Sequence, residues 1–147
     1  MALTARIFFK LLFAVLLVMV VAVFAIDYLS SRTAQSAYIA SFKRDLTEKG
    51  AILARADIGR LTQQKVRDLS LAAGARVTFV RRDGVVQFDS EADPTSMENH
   101  TGRPEVREAL AGRTGFDIRP SATLGVNFLY VAVPVQAGAL RLAKPLG

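Results

Sequence analysis

Cysteine and tryptophan are both absent from this 147-residue sequence, and histidine occurs once. Without cysteine, structural disulfides, zinc–thiolate sites and thiol nucleophiles are excluded. The sequence also lacks a phosphate-binding loop, a dinucleotide fingerprint, an H-E-x-x-H zinc motif and a G-x-S-x-G nucleophile elbow. These absences leave little support for catalysis, so we expect no catalytic residue, no cofactor and no metal in this chain.

The charge balance is basic, with 19 lysines and arginines against 13 acidic residues and a net charge of +6. Such a balance suits nucleic acid, anionic lipid or an acidic ligand, and composition alone does not choose among them. The basic residues are spread along the chain and form no stripe interleaved with aromatic residues. We therefore predict no nucleic-acid partner.

The longest apolar run lies near the N-terminus. From Leu11 to Ile26 the sequence LLFAVLLVMVVAVFAI carries no charge, and apolar residues before Lys10 extend it. A bilayer-spanning helix needs about 20 residues, and the aliphatic stem of Lys10 can snorkel to the interface. We interpret residues 1–27 as a cytoplasmic tip and a transmembrane helix.

The charges that flank this run predict its orientation. Arg6 and Lys10 precede it and Asp27 follows, so the positive-inside rule places the N-terminus in the cytoplasm and the remaining chain outside. A secretory signal peptide cut after Ala25 is the alternative. The uncleaved anchor is favoured because the apolar run exceeds a usual signal core and helix-compatible sequence follows without a break.

Two helices are predicted in residues 28–74. The first is a stalk from Tyr28 to Ala56, where no proline occurs. It carries a heptad-like seam of Ile39, Phe42, Leu46 and Leu53. This seam either packs on its own domain or forms a parallel homodimer, or it does both at different heights along the helix. The second helix begins at Asp57 or Thr62 and ends at Ala73, before Gly74.

The period then changes from helical to extended, and residues 75–147 are predicted to form a sheet. Strands are expected at 75–80, 85–90, 115–122, 127–136 and 139–146. Asp83 and Gly84 are predicted to form a hairpin turn, because an Asp-Gly pair lies between two extended runs. Pro120 and Pro134 indicate edge positions or strand ends, because proline cannot donate to a ladder. The predicted fold class is therefore α+β with a five-stranded antiparallel sheet.

A polar segment interrupts these strands, and its second half is predicted to be a short helix. Pro104 suits the first helical position, and Gly112 ends the helix. Arg103 and Arg107 lie four apart and share a face. They can bind a carboxylate or phosphate through paired hydrogen bonds. Alternatively, they can neutralise nearby acidic residues of the chain, Asp89, Glu91 or Glu105.

The single histidine, His100, lies in the first half of this segment, which is predicted to be a loop. With no serine elbow or cysteine to accompany it, a catalytic role is poorly supported. We favour a histidine that hydrogen-bonds the loop backbone over one that contacts a ligand. A Ca²⁺ site is disfavoured, since no D-x-D-x-D-G loop occurs and the nearby arginines would repel a cation.

Several runs resemble the extracytoplasmic sensor region of phosphate-regulon-type sensor histidine kinases. These runs are RVTFVRRDGVVQFDS from Arg76, MENHTGRPEV from Met97, SATLG from Ser121 and YVAVPV from Tyr130. The resemblance covers about half of the chain. Phe88 departs from it, because a leucine or a small residue is usual there.

This resemblance implies a PAS-like, or single-Cache, sensor domain in the bacterial cytoplasmic membrane. It also implies a homodimeric kinase that uses ATP and Mg²⁺ and passes a phosphoryl group to a response regulator. The phosphoacceptor box and the ATP lid are absent here, so we expect an N-terminal, non-enzymatic fragment that stops before a second transmembrane helix. The residues expected to contact a ligand or signal are His100, Arg103, Arg107 and Tyr130.

Other classes of protein compete with this interpretation. The same sensor module can feed a chemotaxis receptor or a cyclic-dinucleotide enzyme, which only the sequence beyond Gly147 would distinguish. A single-span envelope protein with a binding domain is a further alternative. A secreted hydrolase has the least support.

Overall fold

The computed structural model describes residues 2–55, 61–120 and 125–146. Its helices and strands follow in the order α1 Ala2–Ala54, α2 Gln63–Ala73, β1 Arg76–Arg81, β2 Val86–Asp89, α3 Pro104–Leu110, β3 Gly115–Pro120, β4 Asn127–Val135 and β5 Gly138–Pro145. A 3-10 turn lies at Pro94–Ser96. The strands form one antiparallel sheet in the order β2-β1-β5-β4-β3, which confirms the predicted α+β class.

The first of two compact units, Met1–Ile39, contains the apolar part of α1. Its segment Arg6–Ser30 has 25 residues with a mean hydropathy of 3.0, and its apolar side chains are exposed. This length and composition are sufficient to cross a bilayer. The helix continues without a break to Ala54, as the stalk prediction requires, and Ala56 lies outside the described residues.

The second unit, Ala40–Gly147, contains the sheet and its larger core. On one face, α1 and α2 pack through Leu46 and Val66, which are completely buried. Phe42 and Leu53 are partly buried against the same core, so this part of the predicted seam packs on its own domain. The sheet contributes the remaining core residues, among them Val77, Phe79, Leu129, Val131, Leu140 and Leu142.

Gly50 allows α1 to approach the sheet closely. A Cβ atom at this position would lie 3.1 Å from Val133 Cγ1 and 3.3 Å from Leu142 Cδ1. Glycine inside a helix costs about 1 kcal/mol relative to alanine. Here the absence of a side chain at Gly50 permits the close contact between the helix and the sheet.

A smaller core lies on the opposite face, under α3. It is built from valine and alanine, with Val106 and Ala109 on the helix and Val80, Val86, Ala132 and Ala139 on the sheet. These small side chains leave the neighbouring positions on this face to larger polar residues. The two faces of the sheet are therefore buried in different ways, one by aliphatic packing and the other partly by charge.

The predicted hairpin turn is confirmed. Gly84 has a φ of 81°, which an L-residue rarely adopts, and its amide donates to the Arg81 carbonyl at 2.9 Å. The loop that contains Asn99 and Thr101 lies so close to Gly84 that a side chain there would clash. The turn therefore packs directly against the loop that contains Asn99 and Thr101.

The second helix begins at Gln63, so Thr62 is the correct choice of the two predicted caps. Thr62 Oγ1 accepts a hydrogen bond from the Lys65 amide at 3.2 Å, and Gly74 ends the helix with a φ of 60°. Asp57, the other predicted start, lies outside the described residues.

Both prolines occupy the positions predicted for them. Pro120 is the last residue of the edge strand β3. Pro134 lies in β4 beyond Ala132, where the pairing with β3 ends, so its missing N–H disrupts no ladder on that side.

The packing of α1 on the sheet yields a stability prediction. Leu46→Ala should lower the free energy of unfolding by about 2–5 kcal/mol, because it removes a completely buried side chain from the larger core. The matched control is Ile52→Ala on the same helix, where the side chain is 66% exposed, and its effect should stay within about 0.5 kcal/mol. Urea unfolding of the detergent-solubilised chain measures both, and equal effects would contradict the packing.

Candidate functional site

Polar and charged side chains line the α3 side of the sheet, at positions that alternate with the aliphatic core. On β1, Thr78 lies between the buried Val77 and Phe79, and on β5, Arg141 lies between Leu140 and Leu142. Because successive strand residues point to opposite faces, these side chains meet on one face. We call this group the sheet-face ionic cluster: Arg76, Thr78, Asp89, Glu105, Asp117, Arg119, Tyr130 and Arg141.

Strand register brings the members of this cluster together. Thr78 pairs with Asp89 on one side and with Arg141 on the other. Tyr130 pairs with Asp117 across the β3–β4 ladder. The cluster therefore extends across all five strands, and α3 supplies Glu105 from above.

Glu105 is completely buried, and its carboxylate is held by a fork of two hydrogen bonds from Arg119. Arg119 Nη1 donates to Oε2 at 2.9 Å, and Nη2 donates to Oε1 at 2.8 Å. Burial alone would raise the pKa of Glu105, but the hydrogen bonds and charge of Arg119 outweigh it and hold the pKa below its ordinary value. The side chain is therefore a buried anion at neutral pH.

Asp89 forms the other acidic centre of the cluster and is also completely buried. Its carboxylate accepts hydrogen bonds from the Arg76 guanidinium at 3.1 Å and from the Thr78 hydroxyl at 2.7 Å. The amides of Glu91 and Ala92 donate to it as well. Burial would raise the pKa of Asp89, but these hydrogen bonds lower it.

Arg141 connects the two acidic centres. It is 4% exposed, it donates to Thr78 Oγ1 at 3.0 Å, and its Nη1 lies 3.7 Å from Glu105 Oε1. Its Nε–H is buried and has no hydrogen-bond partner among the described residues. Burial lowers the pKa of Arg141 to about 10, so the guanidinium stays charged at neutral pH.

Tyr130, one of the predicted contact residues, lies beneath two arginines of this cluster. The Arg119 guanidinium carbon is 3.7 Å from the centre of the Tyr130 ring, and that of Arg141 is 5.4 Å away. Both distances are within the range of cation–π attraction. The ring therefore supports the guanidinium groups from the sheet.

His100, the second predicted residue, is bound to the backbone of its own loop. Its Nδ1 lies 2.8 Å from the Glu98 carbonyl, and its amide donates to the Gly84 carbonyl at 2.8 Å. It is 6% exposed, and burial together with the positive charge of Arg141 lowers the pKa of His100. These contacts agree with the structural role that the sequence favoured, and they place a neutral imidazole near the cluster.

Arg103 and Arg107, the remaining predicted residues, lie outside the cluster. Arg107 is exposed on α3, and Arg103 precedes that helix with its Nη2 3.9 Å from the Glu98 carboxylate. They do not neutralise Asp89 or Glu105, because these carboxylates pair with Arg76 and Arg119. Their role as ligand contacts stays a prediction.

The sequence alone did not predict the roles of Glu105, Arg119 and Arg141. Glu105 was considered as a possible partner of Arg103 or Arg107, and the two strand arginines were assigned no role. The signal for Arg141 is a single charged residue between Leu140 and Leu142 in an otherwise apolar stretch. Within the described residues no group of histidine and acidic side chains is arranged to hold a metal ion.

The fold that positions this cluster is that of the Cache/PAS-like sensor domains, as the sequence predicted. No family model matches the chain, and no curated protein matches it. The similarity therefore lies in solved structures, and it concerns the fold.

Three solved structures represent this similarity. The sensor domain of the V. cholerae histidine kinase DctB has a TM-score of 0.54 and 17% identity over 83% of this chain and 54% of that one. The ligand-binding domain of the Pseudomonas aeruginosa PAO1 amino acid chemoreceptor PctC, in complex with GABA, has a TM-score of 0.50 and 15% identity over 73% and 56%. That of the Campylobacter jejuni chemoreceptor Tlp3, in complex with 4-methylisoleucine, has a TM-score of 0.50 and 11% identity over 75% and 52%. This chain thus spans about half the length of each of these three structures.

The lowered pKa of His100 predicts a pH dependence of stability. Because the pKa in the folded state lies below the ordinary 6.5, the unfolded state binds the proton more readily. Stability is therefore complete above this range and falls as the pH is lowered through about 6.5. His100 is the single histidine of the protein, so His100→Gln should remove this slope between about pH 8 and pH 5. Urea unfolding at a series of pH values measures it, and an unchanged slope in the variant would assign the effect to another group.

The buried pair of Glu105 and Arg119 should contribute far more to the free energy of unfolding than an exposed ion pair on the same helix. Glu105→Gln should lower the free energy of unfolding by about 3–5 kcal/mol, because it leaves buried arginine charge without its partner. Glu108→Gln is the matched control on the same helix, since Glu108 forms an exposed pair with Arg113 at 2.9 Å. Its effect should be small. Similar losses in both variants, measured by thermal unfolding, would contradict the assignment of a buried ionic core.

Proposed function

We propose that this chain is the extracytoplasmic signal-sensing input module of a membrane-bound sensor histidine kinase. The observation that carries the proposal is α1, which runs without a break from an apolar span of 25 residues into a domain with the Cache/PAS-like fold. A helix of this kind attaches a sensing domain directly to the membrane. The module itself performs no catalysis and needs no cofactor.

Two observations support a kinase as the parent protein. The runs RVTFVRRDGVVQFDS, MENHTGRPEV, SATLG and YVAVPV resemble the sensor region of phosphate-regulon-type kinases. The DctB sensor domain also matches a larger share of this chain than either chemoreceptor domain, 83% against 73% and 75%. The input module of a chemotaxis receptor is the second candidate, favoured by the fold of PctC and Tlp3.

The other parts of signalling would lie in sequence outside this chain. ATP and Mg²⁺ would bind a cytoplasmic kinase domain, which would phosphorylate a response regulator. The membrane would be the bacterial cytoplasmic membrane, with the N-terminus in the cytoplasm because Arg6 and Lys10 precede the apolar run. Two copies would associate along the stalk helix.

In this proposal, a signal acts by favouring one of two arrangements of the sheet domain. A ligand or partner shifts such an equilibrium only by its difference in affinity for the two states, and a few kcal/mol suffice. The close contact of Gly50 with Val133 and Leu142 connects the sheet to α1. A change in the sheet would therefore be passed to the helix that enters the membrane.

The orientation is tested by fusing reporters after Leu146. Alkaline phosphatase, which is active only outside the cytoplasm, should be active in this fusion, and a green fluorescent protein should be dark. Replacing Arg6 and Lys10 with glutamate should reduce the phosphatase activity, because it removes the positive charge that fixes the orientation. A fluorescent, phosphatase-negative fusion of the unchanged chain would exclude an extracytoplasmic sensor.

The type of parent protein is tested separately from the orientation. The coding sequence that follows codon 147 should encode a second transmembrane helix and then a phosphoacceptor histidine box. A methyl-accepting coiled coil in its place would favour the chemoreceptor. In a chimera with the cytoplasmic part of a characterised histidine kinase, Leu46→Ala should change reporter output, whereas Ile52→Ala should not.

A further inference from the structure

Glu105 contacts the sheet in the way that a bound carboxylate would. It is completely buried, and both of its oxygens accept hydrogen bonds from Arg119 at 2.9 and 2.8 Å. A bidentate fork of this kind is the strongest and most specific arrangement in which arginine binds a carboxylate. The fork is backed by the ring of Tyr130.

Arg141 gives this arrangement more hydrogen-bonding capacity than Glu105 uses. It is 4% exposed, and its Nε–H has no partner among the residues that the structure describes. Its Nη1 is 3.7 Å from Glu105 Oε1, which is too long for a hydrogen bond although close enough for an ion pair. Arg141 therefore has hydrogen-bonding capacity that the Glu105 carboxylate does not use.

The charges of the cluster indicate what kind of anion would fit. Three guanidinium groups, Arg76, Arg119 and Arg141, are paired with three carboxylates, Asp89, Glu105 and Asp117. Three positive and three negative charges balance, and without Glu105 one positive charge is in excess. A planar ion with a single negative charge would restore the balance and match the fork of Arg119.

We propose that Arg119, Arg141 and Tyr130 form a binding site for a small monocarboxylate, and that Glu105 fills this site as an internal ligand. Because Glu105 is attached to the chain, its effective concentration at the site is high, and a free carboxylate competes poorly while it is present. Binding of a free carboxylate in its place would release α3 from the sheet. This last step rests on the proposed sensing function, whereas the site itself does not.

The site is tested with the detergent-solubilised full chain and the variant Glu105→Ala. Acetate at increasing concentration is compared with equimolar chloride and with acetamide, its neutral analogue. The melting temperature of Glu105→Ala should be lower than that of the unchanged chain, and acetate should recover most of the loss with a saturable dependence. Acetamide and chloride should recover little, because neither supplies a planar anion to the arginine fork.

Two matched variants separate a built site from a general salt effect. Glu108→Ala removes a carboxylate of the same helix that pairs with Arg113 on the surface, and acetate should not raise its melting temperature. The double variant Glu105→Ala/Arg119→Lys should lose most of the acetate effect, since lysine cannot form the fork. Equal acetate effects in the unchanged chain, Glu108→Ala and Glu105→Ala would overturn the proposal, as would no effect in Glu105→Ala.

If Glu105→Ala does not fold in chloride, the fraction that refolds in acetate becomes the measured quantity. Refolding in acetate but not in acetamide supports the site, and failure to refold in either overturns it. The kinase chimera described above separates this result from the sensing function. Recovery of stability by acetate without a change in reporter output would support the site and contradict the sensing function. A change in reporter output without recovery of stability would support the sensing function and contradict the site.

Discussion

The carboxylate of Glu105, buried against Arg119 and Arg141, is the constraint on which the α3 side of this domain depends. A buried charge is tolerated only where partners compensate for the water that it has lost. Arg119 lies on the edge strand β3 and Arg141 on the central strand β5, so satisfying one carboxylate fixes α3 relative to both strands. The small residues of the adjoining core then fill the space that this ionic arrangement leaves.

Local patterns predicted most of the elements. The Asp83-Gly84 turn, the Thr62 cap and the glycine end of α2 each depend on a few neighbouring residues, and each was read correctly. Strand boundaries shifted by a residue or more, since β1 runs from Arg76 to Arg81 and not from residue 75 to 80. Such ends depend on which partner strand continues to pair, and a single sequence does not contain that information.

The ionic cluster was not predictable in the same way. Arg119 meets Glu105 across 14 residues, and Arg141 meets Thr78 across 63, through registers that only the assembled sheet determines. Sequence reasoning therefore considered Glu105 as a partner of Arg103 and Arg107, which lie near it in the chain. The prediction for His100 succeeded because its hydrogen-bond partner, the Glu98 carbonyl, is two residues away.

Strand β5 carries the two kinds of burial on alternate residues. Leu140 and Leu142 point into the aliphatic core beneath α1, and Arg141 between them points into the charges beneath α3. A strand is only one residue thick, so the two layers share a single stretch of backbone. A rotation or slide that relaxed the charges would have to displace leucines on the other face by a comparable distance. A displacement on one face of the sheet is therefore transmitted directly to the other face through the strand itself.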